Sequence, residues 1–203
     1  MARKPHGSTD TIINAALALA AERGWRNLAL AHIAERAQVP LAELAEHFPS
    51  KTAILNAYAH RIDQRMLEGG SDASESPRDR LFEVIMGRFD AMAADRDALK
   101  LILRQSSDDP WALLCGGRRF LKSMALTLET AGISSSGLRG IACTQGLSAI
   151  YLYALRTFLA DDSADHARTM AHLDKALRRA EDISSLICRH PAPPPAPHTT
   201  NLR

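Results

Sequence analysis

Apolar positions recur at helical spacing along nearly the whole chain, and no segment shows the strict alternation of a half-buried strand. Ile13, Ala16, Leu17 and Ala20 make one stripe of a first helix, which Ser8, Thr9 and Asp10 can cap and which Gly24 stops after Arg23. Trp25 follows as core filling between helices. Leu30, Ile33, Ala34 and Ala37 fall at i, i+3, i+4 and i+7 and predict a short second helix that buries one face. Val39-Pro40 interrupts it. Pro40 has a fixed φ and no amide proton, so it suits the first turn of a third helix, Leu41 to His47. Two short helices joined by a tight turn make a helix-turn-helix, and Phe48 supplies the large apolar group that locks one onto the other. Ser50 then caps a fourth helix carrying Leu55, Tyr58, Ala59, Ile62 and Met66.

Gly69 to Pro77, GGSDASESP, has linker composition and divides a unit of residues 1–68 from a larger one of residues 78–189. Pro77 opens a fifth helix with a wide apolar face of Leu81, Val84, Ile85, Arg88, Phe89 and Met92. A sixth runs from about Ala98 to Gln105. Asp109 is the expected cap of a seventh, begun by Pro110, kinked or broken at Gly116-Gly117 and ended near Gly132. Ser134 to Ser136 are placed to cap a long helix to about Ala160, and after a polar loop over 161–165 a last helix runs to about Cys188. The five prolines after His190 predict a disordered tail over 190–203. The apolar faces of the last two helices are broader than one small core needs. That surplus predicts a four-helix seam with a second copy, built on Leu147, Ile150, Leu155, Leu173, Leu177 and Ala180.

Composition narrows the class. With 46% hydrophobic and 24% charged residues and only 5% aromatics, the chain has the balance of a soluble all-α protein. A formal charge of +2 excludes a general polyanion binder, so any nucleic-acid contact has to be local. Three widely spaced cysteines, Cys115, Cys143 and Cys188, predict reduced thiols and a cytoplasmic protein. No apolar run of membrane-spanning length and no secretory signal are found. The eight histidines are scattered, no Gly-rich loop follows a strand, and Cys115 beside Gly116-Gly117 has no base in sequence reach, so neither catalysis, a cofactor nor a metal is expected.

Ile13 to Ala16, Gly24, Ile33-Ala34-Glu35-Arg36-Ala37, Val39, Leu44 and above all His47-Phe48-Pro49-Ser50-Lys51 resemble the TetR family of one-component regulators over about Thr9 to Ile62. The resemblance implies an all-helical homodimer. Its N-terminal three helices would bind a palindromic DNA operator, and its C-terminal domain would hold a small ligand whose binding changes the spacing of the recognition helices. Carried onto this chain, the DNA-facing positions are Leu41, Glu43, Glu46 and His47 in the third helix, with His32, Arg36, Lys51 and the arm residues Arg3 and Lys4 at the backbone. For an apolar or lipid-like ligand the candidate walls are Trp111, Phe120, Met124, Tyr151 and Phe158, with Gln145 as a polar group.

The chain departs from the family pattern where DNA would be gripped. Ala29 stands where a capping Thr or Ser is usual, Gln38 where the turn has Gly, Pro40 where a Ser precedes the recognition helix, and Ala45 where an aromatic reaches a phosphate. Over Ala29 to Lys51 two basic residues, Arg36 and Lys51, face three acidic ones, Glu35, Glu43 and Glu46, a local net of −1. A glutamate accepts from cytosine N4 in the major groove, but it repels the backbone. A second, shorter resemblance supplies the alternative. Phe158 to Ser163 and Thr169 to Asp174 are similar to the closing region of the TetR-like lipid-binding proteins of ubiquinone biosynthesis, which implies lipid binding without DNA binding.

Overall fold

A computed structural model describes residues 6–69, 72, 74–106, 110–163 and 165–187. Among them every regular element is helical: α1 (His6–Arg23), α2 (Leu30–Ala37), α3 (Leu41–His47), α4 (Lys51–Gly69), α5 (Pro77–Met92), a 3-10 turn (Ala93–Asp95), α6 (Arg96–Ser106), α7 (Pro110–Thr130), α8 (Gly137–Phe158) and α9 (Ala167–Ile187). Helix α1 packs on α2, α4 and α6, while α4 turns its other side to α5 and α7. Helices α5, α7, α8 and α9 form the larger layer, with α8 lying along α9. Arg3, Lys4, Asp109, Cys188 and the 190–203 tail lie outside the described residues, and so do the side chains of Ser8, Trp111 and Cys115.

The helix ends follow local chemistry. Gly24 takes φ +77° after α1, a left-handed conformation open to glycine, and its amide donates to Ala20 O at 3.0 Å. Ser50 Oγ accepts from Ala53 N at 3.2 Å at the head of α4. Ser76 Oγ accepts from Asp79 N at 3.2 Å at the head of α5, and Pro77 fills the first helical position. Two details differ from expectation. The helical run of α7 continues across Gly116-Gly117. The head of α8 has no side-chain cap at Ser136; instead Glu129 Oε1 of α7 accepts from Ser135 N (2.6 Å) and Ser135 Oγ (2.7 Å) and folds the connection back. That connection passes so close to α8 that a Cβ on Gly140 would lie 2.0 Å from the Ser135 carbonyl carbon, so only glycine fits there.

The buried apolar side chains form one continuous cluster that runs from α1 through α4 into the larger layer. Its centre is aromatic: the Phe89 ring stacks on Tyr151 (5.4 Å) and on Phe158 (5.0 Å), and Phe120 tilts against Tyr151 at 5.8 Å. The α8–α9 connection is closed by one carboxylate. Asp161 is fully buried and accepts from Ser163 N and Oγ and from Thr169 N and Oγ at 2.5–3.2 Å. Burial alone would raise its pKa, but the hydrogen bonds from Ser163 and Thr169 outweigh burial and hold the carboxyl far below the usual carboxylate range.

Candidate nucleic-acid interface and the core behind it

The helix-turn-helix is built from the apolar positions upward. Ile33, Ala34 and Ala37 of α2 and Leu44 of α3 are buried, and Phe48 closes the unit from the end of α3. The turn needs a left-handed residue. Gln38 supplies it at φ 56°, a conformation that costs a side-chain-bearing residue roughly 1–2 kcal/mol more than glycine. With Ala29 in the N-cap position of α2 no side chain receives the first amides of that helix. His32 makes half of the missing cap, its Nδ1 accepting from Ala29 N at 3.2 Å.

Helix α3 presents Leu41, Glu43, Glu46 and His47 to solvent, where a major groove would lie. The cations beside it are occupied. Arg36 makes a two-pronged pair with Glu22 of α1, Nη1 to Oε1 at 2.9 Å and Nη2 to Oε2 at 2.5 Å; the hydrogen bond from Arg36 is what lowers the Glu22 pKa. Lys51 donates through Nζ to Trp25 O (2.8 Å) and Arg26 O (3.3 Å) and sits 5.2 Å from the centre of the Trp25 ring, with burial lowering its pKa. The ammonium therefore holds the α1–α2 connection. The family resemblance implies a phosphate contact for Lys51; the carbonyls that hold it here belong to a loop whose shape no spacing rule foretells.

Of the candidate ligand-contact residues, Met124, Tyr151 and Phe158 are buried in the aromatic core and Phe120 is half-buried against it, whereas Gln145 is exposed on the outer face of α8. Of the candidate seam residues, Leu147, Leu173 and Leu177 are buried within this chain, and Ile150, Leu155 and Ala180 are half-buried. The apolar residues that α8 leaves in solvent are others, Leu138, Ile141, Leu152 and Tyr153. Their spacing places them with Gln145 and Ala149 along one stripe. A groove beside that stripe is walled by Ile150, Tyr153, His172 and Arg179, where the Tyr153 and His172 rings stack at 5.7 Å. The Phe158-to-Asp174 segment has structural employment: Asp161 and Thr169 close the connection, and Asp174 accepts from Arg78 of α5 at 2.8 Å.

Sequence reasoning placed Arg88 in an apolar stripe and missed its consequence, that a guanidinium at a core position demands a buried partner. The partner is Asp63 of α4. Arg88 Nη1 meets Asp63 Oδ1 at 2.7 Å, Arg119 Nη2 of α7 meets Asp63 Oδ2 at 2.7 Å, and Ser123 Oγ donates to Asp63 Oδ1 at 2.5 Å while accepting from Arg88 Nη2 at 2.9 Å. Arg88 also faces the Tyr151 ring at 5.3 Å. Three helices, α4, α5 and α7, thus meet on one carboxylate.

The architecture is a small N-terminal helix-turn-helix unit joined through one long helix to a larger all-helical layer. Within it, residues 12–58 match the family model of bacterial regulatory proteins, tetR family. No curated protein matches the chain. Among solved structures it is similar to the TetR transcriptional regulator from Nitrosomonas europaea ATCC 19718 (24% identity, 85% of this chain and 97% of that one, TM-score 0.72). It is similar also to a TetR transcriptional regulator from Rhodococcus sp. RHA1 (18%, 87% and 97%, TM-score 0.65) and to the regulator FadR from Bacillus subtilis in complex with stearoyl-CoA (20%, 83% and 97%, TM-score 0.58). The helix-turn-helix segment is of the TetR type, and the fold is that of TetR-family regulators. Among the described residues no helix is long and apolar enough to cross a membrane, and no three His, Cys, Asp or Glu side chains are grouped as metal ligands.

Proposed function

We infer that the chain is a TetR-type one-component transcriptional regulator, a repressor that binds a palindromic operator as a homodimer and is released by a small apolar ligand. The observation that carries this is the helix-turn-helix, whose packing face is complete and whose reading face, Leu41, Glu43, Glu46 and His47, stands free in solvent. The family match over residues 12–58 supports it. The seam between copies is placed on the exposed stripe of α8, Leu138, Ile141, Leu152 and Tyr153, extended by the half-buried Ile150 and Ala180. A regulator of this fold holds stearoyl-CoA, which supports an apolar or lipid-like ligand for the larger layer. Binding to a duplex from upstream of the chain's own coding sequence, compared with random duplex, tests the reading.

One observation favours the second reading, a lipid-binding protein of this fold that no longer binds DNA. The two cations nearest α3 in sequence, Arg36 and Lys51, are both committed inside the protein. An absence of salt-sensitive DNA binding together with a co-purified lipid decides for it.

A further inference from the structure

The Asp63 cluster is unbalanced. Two guanidiniums share one carboxylate, and among the described residues no second carboxylate pairs with either of them. Arginine does not shed its proton in a protein, so the surplus positive charge stays. Arg88 has a side chain only 5% exposed, and its Nε finds no acceptor; Nε of Arg119 is likewise buried without one. A buried donor left unmade is costly, and one beside a surplus charge is a standing demand for an anion. Arg119 is the reachable end, its side chain 32% exposed. The residue after it, Phe120, is half-buried, and its ring tilts against Tyr151 at the edge of the Tyr151–Phe89–Phe158 stack.

Building on the ligand-responsive reading above, we propose that the α4–α5–α7 junction receives the carboxylate or phosphate head of an amphipathic ligand, which Arg119 and Arg88 bind in competition with Asp63, the apolar body lying along Phe120. Charge and donors argue for the head, and the half-buried Phe120 ring, next to Arg119 in sequence, argues for the body. Because Asp63 belongs to α4, which also carries the helix-turn-helix on α1, occupying its partners loosens the helix that ties the two layers together.

The test titrates the full-length protein with octanoate, octyl phosphate and octanol, reading binding by calorimetry. Binding of octanoate or octyl phosphate at least tenfold tighter than octanol is expected, and the ranking of the two anions tells carboxylate from phosphate. Loss of one charged hydrogen bond in Arg119→Gln weakens the anions about ten- to a hundredfold and leaves octanol unchanged. In Asp63→Asn, which removes the competitor, the anions bind more tightly. Where Asp63→Asn does not fold, the Arg119→Gln result alone decides. Equal binding of octanol and the anions, or anion binding unaffected in Arg119→Gln, overturns the proposal. Release of labelled operator is followed in parallel. Anion binding without DNA release leaves the site standing and removes the ligand-release reading; release by octanol as readily as by the anions keeps that reading and removes the site.

Discussion

At the scale of single residues, the two cations that flank α3 in sequence, Arg36 and Lys51, are held by the chain itself. Glu22 holds Arg36 across α1 and α2, both side chains largely in solvent, so the pair adds little to stability. Its effect on DNA is larger, because a guanidinium facing a carboxylate is not available to a phosphate. In Glu22→Gln the freed Arg36 is expected to tighten binding to all duplexes and to steepen the salt dependence by up to about one unit; an unchanged slope in anisotropy titrations contradicts this. Lys51→Ala is expected to lower stability by about 1 kcal/mol, through the lost bonds to Trp25 and Arg26, without changing the salt slope. A slope reduced by one would return Lys51 to the phosphates. Asp161 gives the pH dependence. Its folded-state pKa is depressed, so its stabilisation is present in full above the unfolded value of roughly 3.9 and is lost as pH falls further toward the folded value. Denaturation at pH 7 should show Asp161→Asn weaker by about 1–3 kcal/mol, a gap that narrows below about pH 4; a gap constant with pH would contradict this account.

At the scale of elements, the helices were readable because burial imposes a period. The stripe Ile33, Ala34, Ala37 with Leu44 and Phe48 specifies the helix-turn-helix, and Gly24, Ser50 and Pro77 mark ends that the structure keeps. Periodicity tells which side of a helix is apolar, but not whether it faces its own chain or another. For that reason Leu147, Leu173 and Leu177 suggested a seam from sequence and turn out buried within the chain, while Leu138, Ile141, Leu152 and Tyr153, one stripe over, are the side chains left in solvent. Leu152→Glu, at a side chain 53% exposed, is expected to leave the fold intact and to shift the proposed homodimer toward monomer in analytical ultracentrifugation. If that variant stays as associated as the wild type, the seam lies elsewhere. Partnerships across long separations were not readable at all: Asp63 with Arg88 and Arg119, or Arg78 with Asp174, join residues that only the tertiary fold brings together.

At the scale of the molecule, α4 connects the two layers. One of its sides packs on α1 and the other on α5 and α7, and its buried Asp63 is the anchor point in the larger layer. On the proposal above, a molecule that competes for Arg88 or Arg119 would act on the helix that packs on α1 of the helix-turn-helix unit. In the proposed function this reading face still meets DNA, although α3 carries glutamates and no lysine or arginine. Fluorescence anisotropy with a duplex from the chain's own upstream region, titrated at several salt concentrations against random duplex of equal length, tests it most directly. Salt-sensitive binding that prefers the upstream duplex by at least tenfold is expected; equal binding to both duplexes, or none at low salt, would overturn the operator-binding proposal.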